Sequence, residues 1–426
     1  MEKNLCVTRR CQKPPHLCKI WMTMKLIMIL FILAITNLMA SETYSQATKL
    51  TLQVKDATVR EVLSKIEENS EFFFLYNGKL VDVDRKISLD VNDQKINEIL
   101  SNMFQGTDVV YAVVASGEYS LYNDQGVNSY KYFFILQGDD SKEVILARRY
   151  YAQRAVQNWT RELWFNYMIP TKNLADLYLT TDGLPIDQSP LFKGYDSLQS
   201  EYENRDPRMA MTFIVPGSTI YADGGVWAVI YPGFTGTNAT RSGYMLRKFL
   251  DETLEATQFQ GQYDFKEFRY AEVLLILAEA LYEQDKQISD VDLDRTINLI
   301  RSRVNMPALT NSHVTTNGLD MLTEIRRERT VELAFEGFRR DDLRRWKVAE
   351  ILMPAAIRGI KFVGTQYEQR YPDLKIGTDI QVDNDGFIVV EPSTSRQFLP
   401  KHYLDPIPLQ QIQLSKGTLI QNPGWE

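Results

Sequence analysis

The sequence predicts an α+β protein in two parts, a small two-repeat α/β domain followed by a mainly α-helical, loop-rich region. Three observations carry that expectation. A motif of 25 residues, Leu52–Tyr76, recurs as Leu89–Val113 at an offset of 37. Apolar residues at three- and four-residue spacing dominate several stretches after Arg269. Between the two lies a run, residues 166–247, rich in Gly, Pro, Asp and Asn.

Residues 1–47 read as a signal peptide. Lys19 and Lys25 flank the start of an apolar run, Leu26–Ile35, and small residues follow at Ala40, Ser45 and Ala47, which places cleavage near 40 or 47. The run is shorter than the roughly 20 apolar residues that a membrane-spanning helix needs. Cys6, Cys11 and Cys18 all precede it, so the exported chain is expected to hold no disulfide and no thiolate metal site. Removing the leader takes six basic residues (Lys3, Arg9, Arg10, Lys13, Lys19, Lys25) and two acidic ones (Glu2, Glu42) from totals of 48 and 55. That leaves 42 against 53, a net charge of −11. Such a balance disfavours nucleic acid and anionic membranes as partners.

Residues 48–114 form the first folded part. Leu52, Val54 and Asp56 match Leu89, Val91 and Asp93, and Val59, Glu61, Leu63 and Ser64 match Ile96, Glu98, Leu100 and Ser101. Each repeat opens with strand-like alternation. It continues as a helix whose inner stripe in the first copy is Val59, Val62, Leu63 and Ile66. An aromatic or β-branched strand closes each copy, Phe72–Tyr76 or Val109–Val114. Asp56 and Asp93 stand where helix N-caps are expected.

Residues 115–426 form the second part. A helix is expected over Glu143–Phe165, with Ala152, Val156, Trp159 and Leu163 on one stripe and Trp164 off it. Long loops and short strands follow through residue 247. Arg269–Glu283 then reads as a nearly buried helix, with Tyr270, Val273, Leu274, Leu277 and Leu281 on one stripe. A partner helix over Asp292–Val304 turns Ile297, Ile300 and Val304 inward and stops before Pro307. The two make a helical hairpin of about tetratricopeptide size. A third long helical region spans Gly318–Arg345, with Val331, Ala334, Phe335 and Phe338 at helical spacing. Beyond Met353 come loops, short strands and a last turn around Gln410–Leu414.

The run Arg326, Arg327, Arg329, Arg339, Arg340, Arg344 and Arg345 is interleaved with Glu324, Glu328, Glu332, Glu336, Asp341 and Asp342. Mixed charge at this spacing predicts ion pairs along helix surfaces, not a phosphate site. Only His313 and His402 follow the leader, and no HExxH, P-loop or GxSxG motif occurs, so no catalytic residue, metal or cofactor is assigned. The candidate ligand-binding residues are loop aromatics. Trp227, Tyr231 and Phe234 lie in VWAVIYPGFTG, and Phe192 and Tyr195 lie in SPLFKGYDSLQ. Rigid rings with a few placed polar groups, here Asp196, Asn238 and Arg241, suit the C–H faces and hydroxyls of sugars.

The blocks IRRERTVELAFEGFRRDDLRRWK (Ile325–Lys347), RYAEVLLILAEAL (Arg269–Leu281), YENRDPRM (Tyr202–Met209), YLDPIP (Tyr403–Pro408) and LIQNPGW (Leu419–Trp425) resemble the C-terminal half of the SusD/RagB family. The repeat at 48–114 is similar to the secretin and TonB short N-terminal (STN) domain, with its last strand cut short after Val114. The resemblance implies a non-catalytic outer-membrane glycan-binding protein working with a SusC-like TonB-dependent transporter. It departs from the family in lacking a cysteine just after the apolar core, where a lipid anchor is usually attached. The joining of the two patterns near Ala112–Glu118 reads as an in-frame fusion. Two alternatives stand beside this reading. One is a signalling module in which residues 48–114 contact an anti-sigma regulator. The other is a fusion remnant without function, its helical hairpins left without neighbours.

Overall fold

The computed structural model describes residues 49–70, 74, 82–105, 107, 119–151, 154–222, 226–236, 239–252 and 261–425. The chain divides into two compact units, Met1–Glu118 and Tyr119–Glu426. The expected leader, the closing strands of both repeats apart from Phe74, and the junction at Ala112–Glu118 lie outside the described residues. Among the described residues, no helix is long and apolar enough to cross a membrane.

The first unit runs β1 (Lys49–Thr58), α1 (Val59–Glu68), β2 (Lys86–Lys95) and α2 (Ile96–Phe104). The strands pair antiparallel, with Leu52 opposite Val91 and Val54 opposite Leu89. Alternation turns Leu50, Leu52, Val54 and Val91 into one core with Val59, Val62, Leu63 and Ile66 of α1 and Ile96, Ile99, Leu100 and Met103 of α2. The expected helix stripe is therefore the buried one.

The expected aspartate caps are not formed. Thr58 caps α1 in a reciprocal box: its hydroxyl accepts from the Glu61 amide at 3.2 Å, and the Glu61 carboxylate accepts from the Thr58 amide at 2.8 Å. Lys95 precedes α2 without a side-chain cap. Asp56 and Asp93 sit two residues earlier, at irregularities of the strand pairing, with φ of 54° and 53°. Asp is one of the few residues that adopt this left-handed backbone readily. Each is held by the other repeat. Lys86 pairs with Asp56 at 2.9 Å and Lys49 with Asp93 at 2.7 Å, while the two Asp amides donate to Ser88 and Thr51. Lys49 and Lys86, Thr51 and Ser88, and Asp56 and Asp93 are all related by the same offset of 37, so each copy closes the other's bulge.

The second unit runs α3 (Ser129–Phe133), β3 (Val144–Arg148), α4 (Trp159–Trp164), α5 (Lys172–Ala175), α6 (Pro207–Thr212), β4 (Thr219–Ala222), β5 (Val226–Val229), β6 (Phe265–Arg269), α7 (Tyr270–Asp285), α8 (Asp290–Asp294), α9 (Ile297–Arg303), α10 (Asn311–Thr316), α11 (Met321–Glu332), α12 (Arg339–Arg345), α13 (Ala349–Leu352), β7 (Ile357–Lys361), α14 (Gln366–Arg370), β8 (Phe387–Glu391) and α15 (Leu409–Leu414). Antiparallel pairs β3–β6, β4–β5 and β7–β8 are its sheets.

Three helix expectations are corrected. Among the described residues of Glu143–Phe165, helix forms at α4 alone, because the β-branched start pairs with β6, Val144 opposite Arg269. The helix expected over Asp292–Val304 breaks between α8 and α9, although Ile297, Ile300 and Val304 are fully buried as expected. The region Gly318–Arg345 is two helices, parted by left-handed Phe335 (φ 64°) and Gly337 (φ 95°). Helix α7 forms as expected but is rotated: Ala271, Leu274, Leu275 and Ala278 are buried, and Tyr270, Val273, Leu277 and Leu281 only partly so.

Two large apolar clusters stand out among the described residues of this unit. One gathers Tyr130, Phe133, Phe134, Leu246, Phe249 and Tyr263, with Trp159 against it and stacked on Phe265 at 5.9 Å and 12°. The other gathers Tyr178, Met209, Phe213, Tyr244, Ile360, Phe362 and Tyr367.

Buried charge links these elements. Glu332 of α11 receives Arg303 at 2.6 Å, Arg269 at 2.7 Å and Arg208 at 3.0 Å. Its own carbonyl accepts from Arg269 at 2.9 Å and from the Tyr130 hydroxyl at 3.0 Å. Around it, Arg269 also holds Glu143 and Glu336, Arg303 holds Glu143, Arg208 holds Asp206 and Glu328, Arg301 holds Glu328, and Lys248 holds Glu336. Five cations thus meet five carboxylates, all buried. The expectation of surface ion pairs fails for Glu328, Arg329, Glu332, Glu336 and Asp342. The partners of Glu332 lie 29, 63 and 124 residues away, not one helical turn away. Burial pushes the Glu332 carboxyl up, and Arg303, Arg269 and Arg208 more than offset this, holding it well below the usual carboxylate range.

The terminal block clips onto α12. Arg344 donates to the Tyr403 carbonyl at 2.5 Å, Asn422 to the Asp405 carbonyl at 2.7 Å, and the Trp425 indole to the carbonyls of Lys401 and Leu404.

In the first unit, Asp56→Val forces a β-branched residue into left-handed backbone and is expected to cost about 1–2 kcal/mol, while Asp56→Gly is tolerated. Hydrogen exchange within residues 49–104 of the full chain reads both. In the second unit, Glu332→Gln leaves three guanidinium groups short of their shared acceptor and is expected to cost about 3–5 kcal/mol in denaturant melts. Because the folded Glu332 carboxyl titrates below its unfolded value, its contribution is present above about pH 4.5 and is lost as pH falls through the folded value. Melts of the native chain between pH 7 and 3 should therefore show an acid limb that is weaker in the variant.

Candidate functional site

Two neighbouring surfaces of the second unit carry features suited to a ligand. The first is aromatic. Phe192 meets Tyr195 edge-on at 5.3 Å, and Tyr195 meets Phe387 of β8 edge-on at 5.4 Å. All three rings are half-buried. Cations surround them: Arg205 lies 5.4 Å from the centre of Phe192, and Lys172 lies 5.0 and 5.2 Å from those of Tyr195 and Phe387. Lys361 lies 5.7 Å from both, and Arg358 lies 5.8 Å from Phe387. Arg205 is itself fixed by the carbonyls of Ala175, Tyr178 and Glu201, and Lys172 pairs with Asp176. Burial raises the Tyr195 hydroxyl pKa against the pull of Lys172, so the phenol stays neutral and free to donate.

Helix α14 joins this cluster to the other candidate aromatics. At its start, the Gln366 amide donates to the Asp196 carbonyl at 2.9 Å, and the Gln366 side chain accepts from the Leu198 amide. At its end, the Arg370 guanidinium lies 3.5 Å from the centre of the Tyr231 ring. Tyr231 thus has one face covered. Phe234 is 9% exposed and packs edge-on between Phe362 and Tyr371, where it supports the loop from within the core. Asp196 and Arg241 are exposed. Trp227 lies on β5 opposite Tyr221, but its side chain, that of Trp164, and Asn238 lie outside the described residues.

The second surface is a cavity of about 470 Å³ between α5 and the corner joining α11 to α12. Apolar side chains including Leu174, Phe335 and Phe338 line it, with Arg329, Arg339, Arg340 and Asp342 among the polar groups. Helix α5 lies between the two surfaces: Lys172 faces the aromatic cluster, whereas Thr171, Asn173 and Leu174 line the cavity. Glu272 stands behind it, 3.6 Å from Arg329, and burial pushes its carboxyl up to about 7 against the pull of Arg329 and Arg269.

The model of the SusD family matches residues 118–425. The chain belongs to the SusD family. A model of the secretin and TonB N terminus short domain matches residues 74–124. Among solved structures, a SusD-like protein from Bacteroides fragilis is 23% identical with a TM-score of 0.52, the match covering 72% of this chain and 59% of that one. A SusD-like carbohydrate binding protein, also from Bacteroides fragilis, is 25% identical with a TM-score of 0.53, covering 70% and 57%. The chain thus spans less than three fifths of the length of these relatives. No curated protein matches.

Within this SusD-like fold, the structure brings Phe192 and Tyr195 together and places Tyr231 and Phe234 at the far end of α14. Sequence reasoning missed Phe387, Lys172, Lys361 and Arg370. Phe387 lies nearly two hundred residues from Tyr195 and carries no local signal beyond a strand-like GFIVV. Among the described residues, no group of three His, Cys, Asp or Glu side chains is poised to hold a metal ion.

Glu272 provides a test of the electrostatics behind the cavity. Its folded carboxyl titrates above the unfolded value, so from about pH 4.5 to 7 the folded state holds the extra proton and stability falls as pH rises. Glu272→Gln is expected to leave stability at pH 4 unchanged and to raise it at pH 8, measured by thermal melts at the two pH values.

Proposed function

We propose that the chain is a non-catalytic glycan-binding protein of the outer membrane that works with a SusC-like TonB-dependent transporter. The SusD family match over residues 118–425 carries this reading. The relative named as carbohydrate binding supports it, as does the cation-ringed cluster of Phe192, Tyr195 and Phe387. Half-buried rings fixed edge-to-edge offer rigid faces at little entropic cost, and the partly exposed Arg358 and Lys361 beside them supply donors for sugar hydroxyls. Asp196 and Arg241 are the exposed polar partners on the same loops. Trp227, Tyr231 and Asn238 complete the proposed set, with Tyr231 opened to ligand by movement of the exposed Arg370 side chain and Phe234 supporting the loop from within the core. Residues 1–47 are the proposed export signal, 48–114 the proposed STN-like domain and 115–426 the proposed SusD-like region.

A second reading assigns residues 48–114 to signalling through an anti-sigma regulator. The match to the secretin and TonB short domain favours it. The two readings concern different parts of the chain and are compatible.

A glycan array followed by calorimetry on the full chain tests the main reading. Neutral oligosaccharides are expected to bind, and Tyr195→Ala and Phe387→Ala are each expected to weaken binding at least about tenfold, the effect of losing roughly 1.4 kcal/mol of stacking. A cooperatively folded sample that binds no glycan, or one whose binding ignores both substitutions, contradicts it.

A further inference from the structure

The cavity beside α5 has features that the aromatic cluster lacks. Its volume of about 470 Å³ lies within the usual range for a small-molecule site. Leu174, Leu177, Leu333, Ala334, Phe335 and Phe338 form its apolar wall. Three guanidinium groups, Arg329, Arg339 and Arg340, meet one lining carboxylate, Asp342, which leaves an excess of two positive charges. That carboxylate is already engaged: both of its oxygens accept from Arg329 Nε, at 3.0 and 2.9 Å, and one also accepts from Arg345.

Arg329 is 5% exposed, yet only part of its guanidinium is matched. Nε is held by Asp342, and Nη2 lies 3.6 Å from Glu272. Nη1 is buried and has no hydrogen-bond partner among the described residues. A buried cationic donor without an acceptor is costly, and the donors open to a ligand are those of the exposed Arg339 and Arg340. At the rim, Arg340 is exposed, and its pair with Asp405 at 3.3 Å is solvent-screened and readily exchanged. Thr330 and Asn173 add hydroxyl and amide groups to the lining.

We propose that this cavity binds the carboxylate-bearing ring of a uronate sugar residue. The carboxylate accepts from the exposed Arg339 and Arg340, and the ring's C–H face packs against Phe335 and Phe338. The proposal rests on the reading of the chain as a glycan binder but uses a different surface, so the two are measured separately.

Calorimetry on the full chain with methyl β-D-glucuronide, methyl β-D-glucoside and benzoate tests it. The glucuronide is expected to bind at least about tenfold more tightly than the glucoside, as charge-assisted hydrogen bonds require. Arg340→Gln, at an exposed position, and Phe338→Ala are each expected to weaken glucuronide binding at least about fivefold. Neither should change the binding of neutral oligosaccharides that Tyr195→Ala weakens. Equal affinity for glucuronide and glucoside, or glucuronide binding untouched by Arg340→Gln, overturns the site. Benzoate binding as tightly as the glucuronide overturns its assignment to a sugar. If neutral oligosaccharides fail to bind while the glucuronide still responds to Arg340→Gln, the aromatic cluster fails and the cavity stands.

Discussion

Glu332 is the point on which the second unit turns. One carboxylate joins Arg208 from α6, Arg269 at the start of α7 and Arg303 at the end of α9, and through them Asp206, Glu143, Glu328 and Glu336. Removing so many charges from water costs several kcal/mol per ion. The arrangement is tolerable because the cations and carboxylates balance and their hydrogen bonds are short. Its effect is one of specificity. An apolar core packs in many registers, whereas a bidentate guanidinium accepts few, so α3, α6, α7, α9 and α11 are fixed relative to one another. Lys248 illustrates the cost. Burial lowers its ammonium to about 8 even with Glu336 beside it, and the Tyr130 hydroxyl and the Ala334 carbonyl complete its coordination.

Three of the five blocks that carried the family resemblance supply six of the ten charged groups of this network. Tyr202–Met209 supplies Asp206 and Arg208, Arg269–Leu281 supplies Arg269, and Ile325–Lys347 supplies Glu328, Glu332 and Glu336. The sequence therefore made the family legible while hiding the reason for its pattern. Charges three and four apart on one helix look like surface pairs, and nothing local reveals that their partners lie far away along the chain. The repeat was similarly half-legible. Its offset and its buried stripe at Val59, Val62, Leu63 and Ile66 could be read directly. The role of Asp56 and Asp93 could not, because bulges arise from pairing between the two copies. Glu143–Phe165 misled for the same reason: helical spacing at Val156, Trp159 and Leu163 says nothing of the strand partner that takes Val144–Arg148.

The candidate site was legible only as composition. Phe192 and Tyr195 are three apart and meet edge-on, but the ring that completes them, Phe387, comes from β8, and the cations that frame them come from α5, β7 and the loop before α6. The scaffold explains why such a surface stays in place. Arg205 ties the Phe192 loop to the backbone of α5 and the turn after it, and α14 fastens the Asp196 loop at one end and covers Tyr231 at the other. The loops that carry the aromatics are thus anchored to the same rigid body that the buried charges organise. The cavity on the other side of α5 shares that body through Arg329 and Asp342.

Native-state hydrogen exchange on the full chain tests the organising role of the buried charges most directly. If they hold the second unit together, the amides of residues 207–213, 297–303 and 328–336 exchange as one cooperative group and are the slowest of that unit. Exchange of these three segments at unrelated rates, or faster than the strands β7 and β8, would contradict it.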